Sequence, residues 1–218
     1  MSEPGGPDGP DCLYDVDGHV ATLTLNRPHR RNAISFQMLG LLTEHLTAAE
    51  RDRGVRCVIV TGAGKGFCSG LDLALGCDIR LIAESARLLP GFAKRGVVPE
   101  SGGTWYLPRL LGWAKAAEIS YLGRDLDANE SERFGLVNRV VPDADLLPTA
   151  QAWAAEIAAN APLAVQAMKR LYRHGLTEDF ASHTHHVLLQ VMQLFGTKDF
   201  AEGVNSFLEK RPPSFRGR

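Results

Sequence analysis

The sequence predicts an α/β core that gives way to an α-helical C-terminal region. Three observations predict this. Residues 12–25 read as a hairpin whose second strand alternates with a period of two, and the apolar run "CVIV" at 57–60 empties into a glycine-rich turn. Beyond Ala114 the composition shifts to Ala, Glu and Leu. A chain of 218 residues suffices for one good-sized core, or one core with a small appendage. The expected division is a disordered tail at 1–11, an α/β core at 12–142 and a helical region at 143–218. No internal repeat is visible.

The elements follow in order. "MSEPGGPDGPD" is acidic and rich in Pro and Gly, with no apolar signal core and none of the Arg content of a transit peptide. "CLYDVDGHVATLTLNRP" reads as a hairpin: a strand, an Asp17-Gly18 turn, then a strand in which Val20, Thr22 and Thr24 alternate with Ala21, Leu23 and Leu25. Ile34, Met38, Leu41, Leu42 and Leu46 recur at helical spacing, which predicts an amphipathic helix over 34–51. "VRCVIVTG" is a short buried strand. Residues 74–88 read either as a helix feeding a strand or less regularly. "RRNA" at 30–33 and "SGGTWYLPRLLG" at 101–112 read as polar or glycine-rich turns before helices. "AKAAEISYLG" and "DANESERFG" are short helices, "LVNRVVP" a strand or extended linker, and 146–174 and 178–210 long helical patterns. In the last pattern Phe200, Val204, Phe207 and Leu208 share a face.

Apolar residues make up 44% of the chain and the formal net charge is −1. This near-neutral balance gives no support to non-specific nucleic-acid binding, which needs a basic stripe. Cys12, Cys57, Cys68 and Cys77 lie far apart with no C-x-x-C pair, so reduced thiols in a cytoplasmic protein are expected. No apolar run is long enough to span a membrane as a helix. His183, His185 and His186 raise the question of a metal, but no carboxylate or cysteine stands at a matching ligand spacing, so an exposed helix face is expected. Trp105, Trp113 and Trp153 read as core or subunit-contact aromatics.

The stretch "TGAGKGFCSGLD" at 61–72 carries the chemistry. A phosphate-binding Walker loop fails because Gly66 and Phe67 follow Lys65, where G-K-[ST] is needed. A dinucleotide fingerprint fails because residue 67 is Phe where its third glycine belongs. Cys68 lacks a neighbouring base to activate it as a nucleophile. Two readings remain: a tight turn after a strand, or backbone N–H groups presented to a carbonyl oxygen, because glycines let a ligand approach the main chain closely.

"VATLTLNRPHRRNAIS", "VRCVIVTGAGKGFCSGLDL", "CDIRLIAESA", "GVVPESGGTWYLPRLLGWAKAAEI" and "FGLVNRVVP", in this order, resemble the enoyl-CoA hydratase/isomerase (crotonase) superfamily from about residue 13 to the C-terminus. The resemblance implies a crotonase-like spiral of ββα turns with a C-terminal α-helical region that mediates trimer assembly, as a homotrimer or a hexamer built from two trimers. It also implies an acyl-CoA thioester as ligand, CoA arriving as part of the substrate, and no metal or redox cofactor. The N–H of Ser69 becomes one donor of an oxyanion hole. Phe67, Ser69, Gly70, Leu71 and Asp72 become the acyl-CoA contacts, Arg30 and Arg31 candidate partners of the CoA phosphates, and Lys210 a residue that reaches a neighbouring subunit's CoA. For Arg30, Arg31 and Lys210 the alternative is plain surface charge.

Two departures from the family pattern follow. Hydratases of this kind use two glutamates; the place of one is Phe92 here, and the acid appears instead at Glu100, a spacing that resembles isomerase-type members with a single carboxylate. Glu100 is then the expected acid/base, partly buried beside Phe92, Val97 and Val98; the plainer reading is a residue at the glycine turn. The second departure lies between "SGLDL" and "ALGCDIR", where most members carry roughly forty to fifty more residues, including a core strand and the second oxyanion donor. Here Leu73 runs straight into Ala74. Either an internal segment is missing from the sequence or the chain is naturally shortened; a missing strand would leave a sheet edge unpaired. A non-catalytic acyl-CoA-binding or scaffold member of the same fold is the alternative function.

Overall fold

A computed structural model describes residues 9–68 and 72–218. Strands β1 (Cys12–Asp17) and β2 (Val20–Leu25) pair antiparallel from Cys12 opposite Leu25 to Asp17 opposite Val20. The turn is therefore Gly18-His19, one residue later than expected, because Asp17 is still paired. Gly18 stands at φ 56, the left-handed conformation a two-residue hairpin loop requires. The alternation of β2 is as read: Ala21, Leu23 and Leu25 are fully buried and Val20, Thr22 and Thr24 half-buried.

Helix α1 (Phe36–Arg51) begins at Ser35, whose hydroxyl accepts the N–H of Met38 at 3.0 Å and so satisfies one orphan donor of the first turn. Its Met38 and Leu42 pack against Cys12, Leu23 and Leu25. Strand β3 (Cys57–Gly62) returns parallel to β2, so α1 is the crossover that a parallel pair needs. The sheet runs β1-β2-β3, and among the described residues β3 has no neighbour on its far side.

Residues 74–88 resolve into a short helix and two short strands. Helix α2 (Asp72–Leu75) runs through Leu73 and Ala74 and delivers Leu75 into a second core with Leu107, Ala116, Ile119, Leu126 and Leu136. Strand β4 (Leu81–Ala83) pairs parallel with β7 (Arg139–Val141), and β5 (Arg87–Leu88) antiparallel with β6 (Leu126–Asp127). Helices α3 (Gly103–Leu111), α4 (Trp113–Leu122) and α5 (Ala128–Arg133) complete this part. The reading of 101–112 as a turn is corrected: the turn ends at Gly102 and the helix runs through Pro108, held by fully buried Leu107 on its core face.

The two long C-terminal patterns each break once. Pro162, which can open a helix but not continue one, separates α6 (Leu146–Ala159) from α7 (Pro162–Gly175). Thr197, whose hydroxyl accepts the N–H of Phe200 at 3.1 Å, separates α8 (Phe180–Phe195) from α9 (Lys198–Glu209). Alanines 154 and 158 of α6 are buried, and the helix packs on β2, β3 and β4. Arg56, at the mouth of β3, donates to the carbonyls of Ala158 at 3.0 Å and Phe215 at 2.9 Å, tying helix and C-terminal tail to the sheet. Among the described residues no helix is long and apolar enough to cross a membrane.

Candidate functional site

The chain leaving β3 folds back on itself. A β-carbon placed on Gly62 would stand 2.4 Å from the carbonyl oxygens of both Gly66 and Phe67, so only glycine fits there. Gly64 stands at φ 73 and lies against Pro28, which brings the loop alongside the "RPHRRNA" turn. That turn contributes Asn32, fully buried at φ 53. Asn32 Nδ2 donates to the carbonyls of Ala63 at 2.9 Å and Gly66 at 2.6 Å, and its Oδ1 accepts the N–H of Arg27 at 2.7 Å. Arg27 in turn donates to Ala33 O at 2.9 Å and pairs with Asp11 at 3.4 Å. Sequence reading gave Asn32 no role: an Asn in a polar turn reads as a turn former, and its burial under a loop thirty residues away has no local signature.

Ser69, Gly70 and Leu71 lie outside the described residues, as does the side chain of Asp72. Phe67 and Cys68 are half-buried and pack with Leu73 against the core of Cys12, Leu23, Leu25, Met38 and Leu42. Arg30, Arg31 and Lys65 are exposed, and His29 joins them on the turn beside the loop. The two guanidinium groups and the Lys65 ammonium give that edge of the molecule a positive character suited to phosphate. Burial pushes the thiols of Cys12, Cys57 and Cys77 above the ordinary range, which leaves them poor nucleophiles.

Glu100 belongs to a different part of the fold. It follows buried Pro99 and, with Gly96, Val97 and Val98, lines an open concavity of about 470 Å³. The expectation of a partly buried carboxyl is corrected: Glu100 is exposed. Phe92 turns away into the core of Leu107, Ile119 and Leu136, and Val97 and Val98 are themselves 52% and 64% exposed, so these three residues do not bury the carboxylate. What the concavity offers is a carboxylate at the edge of an apolar wall.

Lys210 is exposed and left-handed, immediately after the last residue of α9. The histidine reading needs a correction: a carboxylate does stand among them. Glu178, just before α8, lies 3.0 Å from His186, 3.4 Å from His183 and 3.3 Å from His174, and hydrogen bonds from His186 and then His183 hold its carboxyl below the usual range. Even so, among the described residues no group of such side chains is arranged to hold a metal ion. Trp105 and Trp113 are exposed, not core, with the Arg109 guanidinium lying 3.2 Å over the Trp105 ring; Trp153 is half-buried. Leu194, Phe195, Phe200, Val204, Phe207 and Phe215 line an apolar cavity of about 670 Å³ between α7, α8 and α9.

Two family models, both described as enoyl-CoA hydratase/isomerase, match the chain over residues 20–84 and 70–218. The chain is 32% identical over 258 aligned positions to 1,2-epoxyphenylacetyl-CoA isomerase of Escherichia coli, covering 94% of this chain and 98% of that protein. It is 30% identical over 262 positions to an enoyl-CoA hydratase of Mycobacterium tuberculosis, covering 96% and 98%. Its fold is similar to crystal structures of enoyl-CoA hydratases from Bacillus anthracis (30% identity, TM-score 0.92, 95% of this chain and 100% of that chain) and M. tuberculosis (25% identity, TM-score 0.93, 96% and 100%). The alignment of 262 positions takes in 96% of 218 residues, which is about 210, so about fifty positions face no residue of this chain.

Proposed function

The chain belongs to the enoyl-CoA hydratase/isomerase (crotonase) family, and from that premise we propose that it moves a proton along the acyl chain of a CoA thioester, with Glu100 as the base and then the acid. In this reading the thioester carbonyl accepts a hydrogen bond from the N–H of Ser69 at the end of the Gly62–Phe67 loop. Phe67, Gly70, Leu71 and Asp72 line the acyl group. Glu100 takes a proton from C2 of a 3-enoyl thioester, the electron pair shifts toward the carbonyl oxygen, and the same carboxyl returns the proton at C4, which leaves the double bond conjugated with the thioester. Arg30 and Arg31 hold the CoA phosphates, and Lys210 serves a neighbouring subunit. CoA comes with the substrate, and no metal or redox cofactor takes part. The exposed apolar face of α8 and α9 is the proposed contact within a homotrimer or a hexamer of two trimers.

The observation that carries this reading is the place of Glu100, a carboxylate at the rim of a concavity walled by Val97 and Val98, with Phe92 where a second glutamate would serve hydration. The test is incubation with crotonyl-CoA and with a 3-enoyl-CoA, following the absorbance of the conjugated thioester. Conversion of the 3-enoyl ester that disappears in Glu100→Gln supports the proposal. Conversion that survives Glu100→Gln sinks it.

One observation favours a second reading, a non-catalytic acyl-CoA-binding member. The roughly fifty absent positions are, by resemblance, those that bring the second oxyanion donor. Loss of one such donor costs about 2.7–4 kcal/mol of transition-state stabilisation. Tight binding of CoA esters without turnover of either substrate would establish this reading.

A further inference from the structure

We propose that Asn32 is a positioning residue, one that sets the direction of the peptide planes leading to the thioester carbonyl. The assignment deepens the reading above and rests on it for its chemical meaning. A trans peptide is planar, with its C=O and the following N–H pointing opposite ways. Asn32 Nδ2 fixes the carbonyls of Ala63 and Gly66 at 2.9 and 2.6 Å, and so turns the N–H groups of Gly64 and Phe67 away from itself. Two peptide planes on either side of Lys65 are thereby set by one side chain, immediately before the stretch assigned to the oxyanion donor. An oxyanion hole acts through donors fixed in advance, so a loop free to rotate these planes would lose polarisation of the carbonyl without losing the fold.

Asn32 suits the task by chemistry and conformation. Its amide supplies two donors and one acceptor, and all three are used. It also occupies φ 53, a region that asparagine and glycine tolerate and most residues avoid. Asp at this position would keep the acceptor for Arg27 N–H but set an anionic oxygen against two carbonyls. Gly would keep the backbone conformation and remove the clamp, so Asn32→Gly separates the side chain's task from that of the backbone.

The experiment compares the wild type with Asn32→Gly by amide hydrogen exchange and with 4-dimethylaminocinnamoyl-CoA, whose absorption moves to the red when its carbonyl is polarised. In Asn32→Gly, exchange at residues 62–68 should accelerate about tenfold or more relative to α8. The probe should bind within about threefold of wild type while its red shift falls by half or more, and kcat should fall about tenfold with KM little changed. Unchanged exchange at 62–68, or a full red shift in the variant, overturns the assignment. If the wild type itself produces no red shift, the thioester reading fails, and the exchange comparison still decides whether Asn32 holds the loop. If Asn32→Gly does not fold, the wild type answers by NMR. Slow exchange of both Nδ2 protons, with chemical shifts that move when the probe binds, supports the assignment; fast exchange or unmoved shifts overturn it.

Discussion

The carbonyl oxygen of Phe67 lies so close over Gly62 that a β-carbon there would stand 2.4 Å away, with the Phe67 Cα at 2.7 Å. The obstacle is backbone, which cannot swing aside as a flexible side chain can. Gly62→Ala should therefore displace the loop and cost about 1–3 kcal/mol, the usual range for overpacking. A urea midpoint moved by less than a few tenths of a molar would contradict the close approach. Conversion of a CoA ester should fall along with stability, because the displaced segment leads to the proposed donor.

Arg30 and Arg31 offer exposed guanidinium groups beside the loop. Replacing both with Ala should raise KM for an acyl-CoA about tenfold, which is about 1.4 kcal/mol, and leave kcat nearly unchanged. The corresponding acyl-pantetheine, which lacks the nucleotide phosphates, should show no difference between the two proteins. The wild-type advantage should also shrink with added salt, because these charges are in water. Equal KM values for acyl-CoA in both proteins would return the two arginines to plain surface charge.

Glu202 clasps the C-terminal tail. Its carboxylate takes Arg211 in a two-pronged pair at 2.6 and 2.9 Å and accepts the N–H of Ser214 at 2.8 Å. The Arg211 guanidinium first, and then the Ser214 N–H, hold this carboxyl at about 2 against an ordinary 4.5. A depressed value means that the folded state favours the charged form. The clasp thus contributes fully above pH 4.5 and is lost as pH falls toward 2. The amide resonance of Ser214 should titrate across that window. In Glu202→Gln it should lose most of this response and already sit near its acid position at neutral pH.

Phe207 and Leu208 are 83% and 71% exposed on α9, too much apolar surface for a helix end that faces only water. Sedimentation of the wild-type protein should give a trimer or a multiple of it. Leu208→Asp should shift the mass toward that of one chain, with the far-ultraviolet circular dichroism unchanged. A monomeric wild type would remove the basis for assigning Lys210 to a neighbour's ligand.

Elements with a strong period were legible in the sequence. The alternation of β2 formed where it was read, and α1 formed two residues shorter at its start, with Met38 and Leu42 buried as read but Ile34 outside the helix and Leu46 exposed. The split of each C-terminal pattern was less plain, because Pro162 and Thr197 sit inside stretches whose apolar spacing continues across the break. The site was legible only as motifs. "GAGKGF" announced a backbone approach, yet what holds it in shape is an amide thirty-four residues from Gly66, which no local spacing reveals. Glu100 was located by its neighbours in sequence, but its exposure depends on where Phe92 and Val98 turn. The carboxylate among the histidines was missed in part: Glu178 stands four residues after His174, a local spacing, but it gathers His183 and His186 with His174 because α7 and α8 fold against each other.

The outer flank of β3 carries one further consequence. With β2 on one side and no strand on the other among the described residues, alternate peptide groups of Val58 to Gly62 must take their hydrogen bonds from water or from passing side chains. Deuterium should enter at those positions far sooner than in β2, giving this strand two chemically different margins. The ribbon that aims the glycine loop is thus held by its sheet along one margin alone among the described residues, and helix α6 presses against its face.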